Sequence, residues 1–337
     1  MSFPGYLADD EVSALKRRLS EVADLALDRR LTLLFGAGFS KDARGLPTGA
    51  ELASMMLETT YGCDETIATR ISKEYELAAI AQQFTEHVVG RNTQLVTFVT
   101  QKLQHPDSIS TSQKDFATIA SICRLRRVFT TNFDDLLETA LGPRHRLVKP
   151  TIASIREFEN ESRTRDCTGI FHLNGDLGDP QVTEDQLRSH RSPFFEQLRH
   201  ELVSNLLVMI GYSFRDDAIT TIYGEISELL RAVRQDRQNC IVMPIRDRYE
   251  YMVAQKIWDR RCNVILLPML EGDFLHELLL SVQEARYGAS VKDIAGILSQ
   301  PEEHVKDLLR PLRERYSELG QDDVAEVYRQ ILSVRHI

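Results

Sequence analysis

Hydrophobic positions fall into two patterns along the chain. Between Asp9 and Arg29, residues Val12, Leu15, Leu19, Val22, Leu25 and Ala26 recur at helical spacing against a polar opposite face, which predicts an amphipathic helix. Leu31-Thr-Leu-Leu-Phe35 follows as an unbroken apolar run and stops at Gly36-Ala37-Gly38-Phe39-Ser40. This predicts a buried strand entering a tight turn. Helical spacing returns over Glu51–Thr59, Glu65–Glu86, Thr93–Leu103 and Phe116–Ile122 with no alternating run between them. The prediction is a helical insertion over about residues 48–122, opened by a capping box of Thr48 and Glu51.

Strands are then predicted at Arg127–Thr131, weakly at His145–Pro150, and at Gly169–His172, Asn205–Ile210, Asn239–Pro244 and Cys262–Pro268. Between them fall helices at Leu136–Leu141, Thr183–Leu187, Pro193–Ser204, Asp217–Val233, Tyr249–Asp259 and Asp273–Tyr287; the charged stretch Arg156–Arg165 is a solvated loop or a short helix. Alternating strands and helices predict an α/β fold with a doubly wound, mostly parallel sheet. From Gly288 the strands cease, so the chain divides into a main domain of residues 1–287 and a C-terminal helical element of residues 288–337. That element comprises Val291–Leu298, Pro301–Leu319 and Val324–Leu332.

Composition narrows the class. With 337 residues, 42% hydrophobic and 27% charged, the chain has the make-up of a soluble globular protein of one large or two ordinary domains. No apolar run is long enough to span a bilayer, and the acidic stretch Met1–Asp10 is no secretory signal, so a cytoplasmic location is expected. The net charge of −9 argues against direct nucleic-acid binding. Cys63, Cys123, Cys167, Cys240 and Cys262 form no C-x-x-C pair, which gives no support to a thiolate zinc site and fits reduced, mostly buried thiols.

Four predicted strand ends carry unusual chemistry: Gly36 to Ser40, Thr130-Thr131-Asn132-Phe133-Asp134, His172-Leu173-Asn174-Gly175-Asp176, and Gly211-Tyr212-Ser213-Phe214-Arg215. Ligands of open parallel sheets bind at the carboxyl ends of the strands, so all four are expected to face one crevice. Glycines let a backbone turn sharply and approach a ligand, and a helix N-terminus after them suits a diphosphate. Taken singly, Asn132 also fits a helix cap, His172 a satisfied core residue and Asp176 an ordinary turn residue. Lys41 stands where a dehydrogenase G-x-G-x-x-G needs its last glycine, and Arg215 where a hydrolase nucleophile elbow needs one; no Walker A motif occurs.

In order and spacing this set resembles the sirtuin-type, Rossmann-like NAD-binding fold, across roughly residues 25–285. Gly36-Ala37-Gly38-Phe39-Ser40 matches the family's Gly-Ala-Gly-x-Ser turn. Thr130, Asn132 and Asp134 match its Thr-x-Asn-x-Asp element, His172 with Gly175 its strand-end histidine, and Gly211 with Ser213 its late Gly-x-Ser turn. Deacylating sirtuins also carry a four-cysteine zinc module and an Asp-Phe-Arg-Ser stretch, and both are missing here. In lacking them the chain resembles the zinc-less sirtuin-like NAD hydrolases of bacterial anti-phage defence.

That resemblance implies NAD as substrate, no zinc, and cleavage of the nicotinamide–ribose bond to deplete NAD. It implies that Asn132 holds the attacking water and ribose and that His172 is the general base or a ribose-hydroxyl partner. Asp134 orients Asn132 or contacts the nicotinamide end. Gly36, Ala37, Gly38, Phe39 and Ser40 hold the diphosphate; Gly211, Tyr212, Ser213 and Phe214 hold the adenosine ribose; Thr131, Asn174 and Gly175 complete the NAD site. It further implies a homo-oligomer, working beside a HerA-type ATPase, another defence-system partner or a phage-derived activator. The alternatives are a protein deacylase and a non-catalytic scaffold that binds NAD or ADP-ribose. In the C-terminal element, basic Lys306, Arg310, Arg313 and Arg315 alternate with acidic Glu302, Glu303, Asp307, Glu314 and Glu318, a pattern that predicts an oligomerisation or partner-docking surface.

Overall fold

Apolar runs become strands where both faces are covered. In the computed structural model, residues 3–87, 91–104, 108–213, 217–232, 239–262, 264–298 and 301–307 are described. Their strands are β1 (Leu31–Phe35), β2 (Arg127–Thr130), β3 (His145–Leu147), β4 (Thr168–His172), β5 (Leu206–Ile210), β6 (Asn239–Val242) and β7 (Val264–Leu267). They form one parallel sheet in the order β3-β4-β2-β1-β5-β6-β7. All five residues of β1, β4 and β5 are buried, as expected of strands sandwiched between helical layers. Side chains alternate between two apolar cores: Leu33, Phe35, Val128 and Val208 point to one face, Leu34, Phe129, Leu207 and Met209 to the other.

The topology positions the site. The chain leaves β1 towards β2 on one side and later returns to β5 on the other, so β1 and β5 mark the point where strand order reverses. Register then aligns the strand ends. Phe35 lies beside Thr130 and Ile210, and Thr130 beside His172. The four loops after these residues therefore start at one level along one edge of the sheet.

The helical insertion is present as Gly49–Tyr61, Glu65–Glu74, Leu77–His87, Arg91–Lys102 and Thr111–Cys123, opened by the Thr48–Glu51 capping box. Several elements depart from the sequence expectation. The predicted helix Glu65–Glu86 is two helices, broken at Tyr75, which is extended. The charged stretch folds as a helix, Ile152–Thr164, because Ile155 and Phe158 bury one side and Thr151 caps its start. Its acids are paired across elements, Glu159 with Arg126 and Arg127, and Glu157 and Glu161 with Arg146. Pro193 lies inside a continuous helix, Glu184–Ser204. The last long helix, Glu271–Leu298, passes unbroken through Gly288, with Tyr287, Val291 and Ala295 still buried beyond the strand region. Residues 302–307 are helical, and Val305 is buried. The remainder of the predicted Pro301–Leu319 helix and all of Val324–Leu332 lie outside the described residues. Cys123 and Cys240 are buried, whereas Cys63 and Cys167 are half-buried. No helix among the described residues is long and apolar enough to cross a membrane.

Candidate functional site

The glycine turn after β1 is locked to the loop after β5. The Gly36 N–H donates to the Ile210 carbonyl (2.8 Å) and the Gly38 N–H to the Gly211 carbonyl (3.0 Å). A Cβ on Gly36 would stand 2.5 Å from the Gly211 oxygen, and one on Gly38 2.7 Å from the Gly211 Cα. Gly211 itself is left-handed at φ +65° and would place a Cβ 2.3 Å from the Phe39 nitrogen. These glycines are required because two backbones meet. The N–H groups of Gly36 and Gly38 are both engaged within the fold. Phe39 fills the core against Phe35, with ring centroids 4.7 Å apart, and Tyr212 is buried on the other face of the sheet. Ala37 begins the helix Ala37–Arg44, and Ser213 lies exposed beyond the turn. Phe214 lies outside the described residues.

A relay of hydrogen bonds spans the loops after β1 and β2. Asn132 is 7% exposed, and its Nδ2 donates to the Gly36 carbonyl (3.0 Å) and to Ser40 Oγ (2.7 Å). The Ser40 hydroxyl donates in turn to Asp134 Oδ2 (2.7 Å). Both acceptors demand the amide NH2, so the orientation of Asn132 is set and its Oδ1 is turned away from them. That Oδ1 is buried and has no partner among the described residues. A buried acceptor without a partner is rare and calls for an explanation; a substrate hydroxyl or water supplies one. Asn132 does not cap the following helix, which begins at Leu136 after Asp135. Burial pushes the Asp134 carboxyl upward, against the hydrogen bonds from Ser40 and the Leu136 N–H. Ser40 thus links the Asn132 amide to the Asp134 carboxylate.

His172, at the end of β4, is 3% exposed and held at both ring nitrogens. Nδ1–H donates to the Asn132 carbonyl (2.8 Å), and Nε2 meets Glu138 Oε1 at 2.6 Å. Burial disfavours the charged ring, but the Glu138 hydrogen bond and charge, with the Asn132 carbonyl, outweigh it and raise its pKa above the ordinary value. Glu138 was not singled out from the sequence. It sits one turn beyond Asp134 on the short helix Leu136–Leu141, whose Leu136, Leu137 and Leu141 are buried; this i, i+4 spacing was the available signal. Its Oε2 is a second buried acceptor without a partner among the described residues.

The remaining residues shape the rim. The Asn174 side chain donates to the Thr131 carbonyl (2.9 Å), tying the β4 loop to the β2 loop. Gly175 turns at φ +81°, where a Cβ would meet the Asp179 oxygen at 2.2 Å. Asp176 accepts the Gly178 and Asp179 N–H groups and pairs with Lys149 from the loop after β3. Another unexpected carboxyl, Glu271, is 3% exposed behind Gly38. Burial pushes it up to about 7, its own backbone N–H opposes, and Asp42 adds to the rise. No cluster of three or more metal-ligating side chains forms among the described residues.

A family model described as a SIR2-like domain matches residues 126–262. The matched segment holds Asn132, Asp134, Glu138, His172 and Gly211, while the β1 turn joins them through the sheet. Two curated relatives are similar to the chain, both named NAD(+) hydrolase ThsA. The one from Acinetobacter baumannii is 24% identical over 230 residues, covering 66% of this chain and 44% of the relative. The one from Bacillus cereus is 21% identical over 288 residues, covering 83% and 55%. The chain thus spans about half the length of these relatives. A Sir2 homologue solved with ADP-ribose is similar at 15% identity and a TM-score of 0.46, covering 80% of this chain and 97% of that one. A second solved structure, of a Sir2 enzyme, has 12% identity and a TM-score of 0.41, covering 80% and 98%.

Proposed function

We propose that the SIR2-like domain hydrolyses NAD to nicotinamide and ADP-ribose. The observation that carries the reading is the buried Oδ1 of Asn132, without a partner among the described residues, at the strand-order reversal beside the His172–Glu138 pair. Departure of nicotinamide from the ribose develops an oxocarbenium-like centre, and a neutral amide held rigidly there positions water and hydroxyls without adding charge. The His172–Glu138 pair supplies proton-handling groups within the same cluster. The names of the two curated relatives support the same reaction. Asn132, His172 and Asp134 are the proposed catalytic set, and Ala37, Thr131, Asn174, Gly175 and the loop from Gly211 to Phe214 are proposed to line the NAD site.

The biological role follows from the resemblance to defence hydrolases. The chain acts in the cytoplasm as an NAD-depleting effector of anti-phage defence, controlled by self-assembly or by a partner such as a HerA-type ATPase. The C-terminal element from residue 288 serves that assembly or docking.

Incubating the protein with NAD over a series of protein concentrations, and following nicotinamide release, tests the reading. Release is expected, and Asn132→Ala should lower it by roughly a hundredfold or more. No release at any concentration would overturn the hydrolase assignment. Stoichiometric deacetylation of an acetyl-lysine peptide would move the chain to the deacylases.

A further inference from the structure

Resting on the NAD-hydrolase reading, we infer that Glu138 Oε2, rather than His172, takes the proton from the attacking water, and that His172 is a fixed imidazolium that holds Glu138 in place. Geometry carries this. A general base needs a lone pair open to substrate. His172 has none to offer in the observed arrangement: Nδ1 faces a carbonyl, which only accepts, and Nε2 faces a carboxylate oxygen at 2.6 Å. With Glu138 ionised, both ring nitrogens carry hydrogen, the state of an imidazolium. Glu138 is the complement. One carboxylate oxygen holds the ring, while the other is buried with no partner among the described residues. The Glu138 side chain as a whole is 13% exposed against 3% for the histidine, with Oε2 itself on its buried side.

The charges around the ring fit this assignment. Glu138 from the helix after β2 and Asp134 from the preceding loop both favour the cationic ring. Asp176 on the β4 loop also interacts with His172 and is itself paired with Lys149. Asn132 ties the arrangement together, since its carbonyl anchors His172 while its buried side-chain Oδ1 has no partner among the described residues.

In the proposed step a water proton passes to Glu138 Oε2. The water oxygen forms the new C–O bond at the anomeric carbon. The electron pair of the breaking C–N bond leaves with the pyridinium ring, which departs as neutral nicotinamide. Glu138 ends as the neutral acid and returns its proton to solvent. No group beyond NAD and water is required.

Two measurements test the assignment together. First, imidazole nitrogen NMR of isotope-labelled protein, with the His172 signal assigned from His172→Gln, reads the ring state without reference to activity. Both nitrogens should be protonated above neutral pH, and the ring should titrate lower in Glu138→Gln. Second, nicotinamide release should fall about a hundredfold in Glu138→Gln with KM little changed, and added formate should restore part of the rate of Glu138→Ala but none of that of His172→Ala. An active parent protein with a neutral His172 overturns the role of Glu138 alone, as does a Glu138→Gln rate within about threefold of the parent. Failure of every protein to release nicotinamide, with His172 still doubly protonated, overturns the hydrolase reading and the proton-acceptor role with it.

Discussion

Ser40 shows how much a single hydroxyl does here. It accepts from Asn132 and donates to Asp134, so it joins the amide to a buried carboxyl that burial pushes upward. Ser40→Ala should leave Asp134 without its donor and Asn132 free to rotate. We expect nicotinamide release to fall roughly ten- to a hundredfold and stability to drop by about 1–3 kcal/mol, read from kinetics and from urea unfolding. A variant with unchanged rate would mean that Asn132 is held by the Gly36 carbonyl alone. Asn132, Asp134, His172 and Ser40 were all visible in the sequence as chemical types at strand ends. Their division of labour was not, because it depends on which oxygen meets which nitrogen across loops far apart in the chain. Glu138 escaped notice for the same reason: an acid on a short amphipathic helix looks solvated until the fold turns it towards His172.

Among the elements, the two glycine loops carry the sharpest contrast. Gly45 and Gly211 have similar positive φ angles, +67° and +65°, but a Cβ at Gly45 would meet nothing within 4 Å. Gly45→Ala should therefore cost about 1 kcal/mol, from backbone strain alone. Gly211→Ala adds a collision with the Phe39 nitrogen and should cost at least ~2 kcal/mol more, because the β1 and β5 loops would have to part. Equal unfolding midpoints for the two variants would refute the backbone-locking role. Strands β1 and β5 were legible almost to the residue, since they are apolar runs that only a doubly covered sheet can bury, whereas β3, β6 and β7 are shorter than the sequence suggested. The helix Ile152–Thr164 was ambiguous because only Ile155 and Phe158 are buried, and its many charges find their partners on other segments. Gly288 and Pro193 suggested breaks that do not occur: Tyr287, Val291 and Ala295 are buried on either side of the one, Phe194, Leu198 and Leu202 are buried after the other, and each helix continues.

On the scale of the whole molecule, the buried Glu271 makes stability depend on pH. Its folded pKa of about 7 lies above the ordinary value of 4.5, so the folded state binds more protons between the two. Stability from this group is complete below the ordinary value, declines as pH rises through the window, and is lost above about 7. The loss should amount to roughly 3 kcal/mol, and Glu271→Gln should flatten that part of the curve in urea melts across pH. A parent curve that rises over the same window would contradict the assignment. What the sequence by itself determined was the doubly wound α/β class, the strand positions and the candidate chemistry at four strand ends, because burial period and residue type are local properties. Only the tertiary structure decided that the strands share one parallel sheet whose register levels Phe35, Thr130, His172 and Ile210. It also decided that Gly36 and Gly38 bind another loop and that His172 is closed at both nitrogens by Asn132 and Glu138. Those outcomes depend on hydrogen bonds between residues distant in the chain, and such directional contacts leave no periodic trace in a sequence.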